Sequence, residues 1–313
     1  MMTRNECAQW LLDHDNYLIL THRRPDGDTI GSGAVLCRML RALGKNADIL
    51  ENREITPKYA HLHHGLTVDR ALPSHTLVCV DIASVNLLPE PFQPLRERIQ
   101  LRIDHHRTAA SFTPWELVDP AAGACAEILY DLLILLGLTL DKLTAEALYT
   151  AVSTDTGCFR YANTTAHSFT VAAACAQAGG DLFLINQAIF ETNSLAKLRL
   201  QGWLVENARF LAGGQIAICA LPLSVEQAIG VTEDDMENIS GFPRSIEGVK
   251  IAATLRQTRD GMVKLSVRAV PGYDAAAICA KFGGGGHPGA AGASLRLTLE
   301  DAAQAVAEAM PRL

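Results

Sequence analysis

The sequence predicts an α/β protein: an N-terminal domain built on a parallel sheet with helices on both faces, then a smaller C-terminal α+β domain, with an active-site cleft expected between them. Three observations carry this. Short apolar runs at 17–20, 47–50, 76–80 and 100–103 alternate with stretches of helical spacing, the order that builds βα units into a parallel sheet. Polar residues stand where those runs end, at His22, Asp81 and Asp104, and open α/β sheets bind ligands at the carboxyl ends of their strands. From Gly214 onward the order turns strand-rich, with Thr258-Arg259-Asp260-Gly261 joining two runs in hairpin style. A chain of 313 residues can bury two cores. The expected boundaries are 1–195 for the first domain, 196–213 for a helical connector and 214–313 for the second domain.

Taken in order, the first strand (17–20) leads through Thr21-His22-Arg23-Arg24-Pro25-Asp26-Gly27-Asp28 into helical spacing from about Ser32 to Leu43, with Gly44 as the C-cap. Asp26 and Asp28 sit two apart in what reads as a bent loop, where a turn or cap role competes with a functional one. After the strand 47–50, residues 51–75 are irregular and carry His61, His63 and His64, which read as a polar surface element because no carboxylate lies beside them at ligand spacing. The runs at 76–80 and 100–103 deliver Asp81 and Asp104-His105-His106. Adjacent strand residues face opposite ways, so two neighbouring imidazoles are hard to place in a core. Helices follow at 121–136 and 144–153, the second delivering Thr154-Asp155-Thr156-Gly157, and a third, capped by Thr164 or Thr165, reaches Ala178. Helical spacing continues to about Leu211. The second domain reads as strands at 215–221, 249–257 and 262–269, a helix at 274–281, a glycine-rich loop at 283–292, a strand at 294–297 and a helix at 300–310.

Composition excludes several classes. The 49% apolar content with low charge argues for compact domains, and the longest apolar run, 132–138, is too short to span a bilayer. No signal pattern opens the chain and the eight cysteines contain no Cys-x-x-Cys pair, so a reducing, cytoplasmic setting is expected and a zinc or disulfide framework is not. A net charge of −7 disfavours long duplex nucleic acid as partner. It leaves room for a small anionic substrate, because carboxylates that hold cations are neutralised in the site.

The chemistry resides in His22, Asp26, Asp28, Asp81, Asp104, His105, His106 and Asp155. Imidazoles and carboxylates without thiolate suit Mn²⁺ or a similar ion. The negative charge exceeds what one divalent ion balances; two, bridged by a carboxylate, would activate water against a phosphate ester. The run Gly283 to Gly286 before His287 leaves backbone amides unshielded, which suits an anion-cradling loop.

In combination, His-x-x-Pro-Asp-Gly-Asp-x-x-Gly-Ser at 22–32, Asp81 at a strand end, Asp104-His105-His106, and Thr154-Asp155-Thr156-Gly157 resemble the four motifs of the DHH phosphoesterase superfamily. Leu265-Ser266-Val267-Arg268 and the glycine run resemble its DHH-associated domain. The match spans nearly the whole chain and is most similar to the NrnA-type nanoRNases. The resemblance implies that His22 and Asp26 hold one Mn²⁺, that Asp28, His105 and Asp155 hold another, and that Asp81 bridges them. It makes His106 the residue facing the scissile phosphate and Asp104 the one orienting the histidine pair. It gives Arg268, His287 and the amides of Gly284, Gly285 and Gly286 to the substrate. Apart from the resemblance, Arg23, Arg24, Arg107, Arg160 and Tyr161 lie beside motif residues, where phosphate contact or base stacking competes with a solvent-exposed role; Arg160 is the best placed because it closely follows the fourth motif. Expected substrates are short RNA, dinucleotides such as pApA, and 3'-phosphoadenosine 5'-phosphate (pAp), with no membrane partner and a homodimer left open. A signalling phosphodiesterase for cyclic or linear dinucleotides, and a catalytically silent nucleotide sensor, are the alternatives. One departure is Ala269, where the family's pattern leads us to expect a small hydroxyl residue after its Arg.

Overall fold

The computed structural model describes residues 1–106, 111–236 and 239–311. They form two compact units, Met1–Thr192 and Asn193–Leu313.

The first unit opens with α1 (Arg4–Asp13), a helix that the sequence did not announce, closed at its start by a Thr3/Glu6 capping box. Then follow β1 (Tyr17–Leu20), α2 (Gly27–Ala42), β2 (Ala47–Leu50), the single turn α3 (Pro57–Ala60), β3 (Thr67–Val68), β4 (Thr76–Val80), β5 (Ile99–Asp104) and β6 (Trp115–Val118). Four helices complete the unit: α4 (Cys125–Leu135), α5 (Lys142–Asp155), α6 (Ala166–Gln177) and α7 (Leu182–Asn186). The six strands pair in the order β3-β2-β1-β4-β5-β6, every pair parallel.

Alternation along β1 divides the core. Tyr17 and Ile19 face a large cluster built with α1, α2, α4 and α5, while Leu18 and Leu20 face a smaller one. That smaller face is covered by the 3-10 turns Val85–Leu87 and Glu90–Arg98, with Leu88 and Phe92 inserted. Pro94, inside the second of these turns, is incompatible with a regular α-helix there, since an interior proline removes a hydrogen bond and clashes with the preceding turn.

Helix α2 starts five residues earlier than its spacing indicated, and thirteen of its sixteen residues are buried. A helix enclosed on all sides loses the polar stripe that marks its ends in a sequence. It crosses α5 at close range through Gly27 and Gly31. A Cβ on Gly27 would strike the Thr154 side chain, and one on Gly31 would strike the Ala147 carbonyl. The two glycines share a helix face at i, i+4. Their absent side chains let the start of α2 meet the end of α5.

The second unit contains α8 (Leu195–Glu206), β7 (Arg209–Leu211), β8 (Ile216–Leu221), α9 (Leu223–Ile229), β9 (Ile251–Gln257), β10 (Val263–Ala269), α10 (Ala275–Ala280), β11 (Gly285–His287), β12 (Ala290–Leu295) and α11 (Leu299–Ala309). Its sheet runs β11-β12-β10-β9-β8-β7, antiparallel except for the β8/β9 pair. Helices α10 and α11 cover one face. The stretch expected to connect the domains is instead part of this unit: Leu200 and Leu204 of α8 pack on Cys219 and Leu221 of β8, and 209–211 is an edge strand rather than helix. The glycine run likewise is not a free loop, because 285–287 pairs with β12 as a short edge strand.

Among the described residues no helix is long and apolar enough to cross a membrane. All eight cysteines are free, and seven are buried.

Candidate metal centre

Asp26 is the N-cap of α2: its Oδ1 accepts the amides of Asp28 (3.1 Å) and Thr29 (3.2 Å), satisfying two of the donors a helix start leaves open. The expected bend is therefore a helix N-terminus, with Asp28 inside the first turn. His22, just beyond β1, donates from Nδ1 to the Arg23 carbonyl (2.9 Å), which leaves Nε2 as the nitrogen a metal ion would take in place of a proton. That atom lies 3.6 Å from Asp26 Oδ1 and 3.6 Å from Asp81 Oδ2. Asn52, missed in the sequence, holds this turn from behind. Its buried side-chain amide donates to Thr21 Oγ1 (3.0 Å) and the His22 carbonyl (2.9 Å). A polar residue two places past the end of β2, on the ligand edge of the sheet, was the available signal.

Asp81 stands at the end of β4 with φ 58° and donates its amide to the Ile103 carbonyl (2.9 Å). A non-glycine residue in this left-handed region is uncommon, and such backbone gathers at functional sites. Its carboxylate is buried and turned two ways. Oδ2 faces His22, whereas Oδ1 lies 3.6 Å from His105 Nε2 and has no hydrogen-bond partner. His105 mirrors His22: Nδ1 donates to the Ala122 carbonyl (3.2 Å), and Nε2 faces Asp28 Oδ2 (3.8 Å) and Asp155 Oδ2 (3.7 Å). Donor atoms 3.6–3.8 Å apart are too distant to hydrogen-bond. They are spaced within twice a metal–oxygen bond of about 2.1 Å. The sets His22/Asp26/Asp81 and Asp28/His105/Asp155 each gather donor atoms within 4.8 Å of one another. A cation fits both, and it would satisfy the orphaned Asp81 oxygen.

A third grouping, Asp81/His105/His106, is also within 4.8 Å, but its His106 nitrogen is already committed. His106 Nδ1 is 2.8 Å from Asp104 Oδ1, which also accepts the amides of His105 (2.8 Å) and His106 (3.2 Å). Asp104 thus holds the pair in place without reaching the clusters. Behind it lies a buried cation that sequence reasoning passed over: Arg102, 1% exposed, faces Asp104 Oδ2 (3.7 Å) and Glu116 Oε2 (3.3 Å). An arginine inside a buried strand, two residues before the aspartate and so on the same face, was its signature.

The electrostatics describe a site short of positive charge. Burial first, then neighbouring carboxylates, raises Asp28 and Asp155 above the usual carboxylate range and pushes Asp81 up to about 7. Burial opposes a charged imidazole at His22 and His105, yet the surrounding aspartates overrule it and push them up to about 11 and about 9. Between the ordinary values near about 4 and 6.5 and these raised ones, the ion-free folded state binds more protons than the unfolded chain, so its stability falls as pH rises through that window. Divalent ions displace those protons. Melting in EDTA should therefore show a midpoint that drops between about pH 5 and about pH 8, and Mn²⁺ should raise it more at the higher pH. An Mn²⁺ shift independent of pH would rule these carboxylates out as ligands.

The remaining residues fall elsewhere. Arg160 is exposed and donates from Nε to the Gly157 carbonyl (2.6 Å), in the turn after Asp155. Arg23 and Arg24 are exposed beside His22, and Arg107 lies outside the described residues. Of the three clustered histidines, His61 and His64 are exposed as expected, but His63 is buried and bonds the Ile30 carbonyl (2.9 Å), contrary to its reading as a surface residue. In the second unit, Arg268 pairs across β10/β12 with Ala290, which pairs with His287 on β11. Directly paired residues project from one sheet face, so both basic residues share a row with only a methyl between. Gly284 lies so near β12 that a Cβ would strike the Gly292 carbonyl. A concavity of about 520 Å³ lined by Lys264, Ser266, Gly283, Gly284 and Ser294 lies on the same strands. Ala269 is buried in the core on the opposite face, so a hydroxyl at that position would not lie beside the Arg268 side chain.

Residues 16–152 match the DHH family, N-terminal domain, and residues 214–311 match the DHHA1 domain. A Thermus thermophilus protein named bifunctional oligoribonuclease and PAP phosphatase NrnA is 35% identical, covering 93% of this chain and 88% of its own. Its Bacillus subtilis namesake is 27% identical, with 93% of each chain covered. In fold, an exopolyphosphatase-related protein from Bacteroides fragilis is similar with a TM-score of 0.89 at 24% identity, over 98% of this chain and 94% of that one.

Proposed function

Because the chain belongs to the DHH family and is a metal-dependent phosphoesterase, we propose that it hydrolyses short oligoribonucleotides, including dinucleotides such as pApA, to mononucleotides and dephosphorylates pAp. The observation that carries the reading is Asp81: one buried carboxylate with an oxygen toward each of two donor sets, one of those oxygens unpartnered. His22 and Asp26 would hold one ion and Asp28, His105 and Asp155 the other, with Asp81 shared. Four aspartates in these sets carry a formal charge of −4, which two divalent ions balance. Oxygen and imidazole donors favour Mn²⁺. Such ions draw charge from a phosphoryl oxygen and lower the pKa of a water.

The chain's own groups do the rest. His106 Nδ1–H donates to Asp104, which fixes the ring with its other nitrogen free to meet the phosphate or the leaving oxygen. Arg268, His287 and the amides of Gly285 and Gly286 would receive the substrate's far phosphate or base, whereas the Gly284 amide, expected to join them, is given to the Cys279 carbonyl (3.0 Å); Arg160 would add a contact near Asp155. The names of the Thermus and Bacillus relatives favour this substrate class over cyclic dinucleotides, and the net charge of −7 speaks against long duplexes.

Kinetics with Mn²⁺ on pAp, pApA, cyclic di-AMP and RNAs of increasing length test the proposal. Turnover is expected on pAp and pApA, with kcat/KM falling as RNA lengthens. A steep preference for longer RNA or for the cyclic dinucleotide would replace this choice of substrate, and binding of pAp without release of phosphate would end the enzymatic reading.

A further inference from the structure

Asp28, His105 and Asp155 come from three separate elements, yet all three are fastened to one short stretch of chain, residues 122–126. Asp28 accepts the amides of Cys125 (2.7 Å) and Ala126 (3.2 Å). His105 donates to the Ala122 carbonyl (3.2 Å). Asp155 reaches the stretch through the side chain of Asn163, two residues before the α6 N-cap Thr165. The Asn163 amide nitrogen lies 3.2 Å from Asp155 Oδ2, 3.1 Å from the Asp155 carbonyl and 2.8 Å from the Gly123 carbonyl. The stretch itself rests on the buried carboxylate of Glu127, which accepts the Gly123 amide (3.1 Å) and the Ser168 hydroxyl (2.5 Å).

We infer that Asn163 is a positioning residue for the second ion, tying the Asp155 carboxylate to the 122–126 stretch that also holds Asp28 and His105. The inference rests on the two-ion reading above. Its chemistry is that of donors alone. The two Asn163 N–H groups are shared among three acceptors, Asp155 Oδ2 and the Asp155 and Gly123 carbonyls, and Asp155 Oδ2, with two lone pairs, keeps one for the His105 cluster. A donor on a ligating carboxylate fixes its rotation, and loss of such a partner lowers metal affinity. Asn163 is exposed, so its replacement leaves the core intact.

Mn²⁺ titration of the full chain by calorimetry tests this. The unaltered protein should bind two ions. Asn163→Ala should weaken one of them about 10- to 100-fold and leave the other unchanged. Asn163→Asp is isosteric but sets an oxygen against the Gly123 carbonyl and Asp155, so it should weaken the same ion at least as much. Ser168→Ala, which removes the hydroxyl donor from Glu127, should weaken that ion too. Two ions bound with unaltered affinity in Asn163→Ala, or normal affinity restored by Asn163→Asp, would overturn the inference. An unaltered protein that binds fewer than two ions fails the two-ion reading itself, and the inference with it.

Discussion

Asp81→Ala is expected to lower kcat by at least about 10³-fold, a loss of about 4 kcal/mol of transition-state stabilisation, and to leave neither ion bound at its original affinity. The expectation follows from the carboxylate's two-way orientation. Oδ2 is 3.6 Å from His22 Nε2 and Oδ1 is 3.6 Å from His105 Nε2, so one side chain serves both donor sets. Each set keeps two or three other donors. Loss of Asp81 therefore weakens both sites together and removes what holds them at a common spacing. Unfolding should not confound the result. In the ion-free protein this carboxylate is buried, carries an oxygen without a hydrogen bond, and is pushed up to about 7 by burial and then by Asp28. Replacing it relieves that penalty. Melting in EDTA should accordingly still show a cooperative transition, while metal analysis shows depletion at both sites. Near-normal turnover, or loss of one ion only, would refute the shared role.

How much of the site is legible in the amino-acid sequence depends on which interactions are local. Strand ends are readable because a buried parallel strand is a continuous apolar run, and the first polar residue after it lands on the ligand edge of the sheet. That places His22, Asp81 and Asp104-His105-His106 on one edge of β1, β4 and β5. The grouping of ligands into two sets came from family resemblance and could not come from spacing, since Asp28, His105 and Asp155 are brought together by tertiary packing. The start of α2 was misplaced for the same reason. Glycine is a poor helix former, but Gly27 and Gly31 serve the crossing with α5. His63, Arg102 and Glu116 were opaque because polar residues in a sequence look exposed until their buried partners are known. The glycine run concealed a strand, because small residues remove the alternating pattern by which an edge strand is recognised.

The adjacent histidines should part company on substitution. His105→Ala is expected to remove one ion from the protein and most activity with it, whereas His106→Ala should keep both ions and still lose about 10²- to 10⁴-fold in kcat, the range for a group that transfers or shares a proton in the transition state. Hydrogen bonds of their Nδ1 atoms make the distinction. His105 gives that nitrogen to the Ala122 carbonyl (3.2 Å) and turns Nε2 to Asp28, Asp81 and Asp155. His106 gives its own to Asp104 (2.8 Å). The ring's distal nitrogen is then left for substrate. Asp104 can sustain this because Arg102 and Glu116 form a buried ionic base beneath it, and breaking such a base by removing one partner is costly. Asp104→Asn, which keeps the acceptor shape while removing charge, should accordingly resemble a milder His106→Ala, with both ions retained and kcat reduced. Metal content and single-turnover rates, measured side by side for the three variants, separate holding an ion from acting on the phosphate. If His106→Ala loses an ion, or His105→Ala retains two, the division between the neighbours is wrong and the His106 nitrogen must leave Asp104 to serve as a ligand.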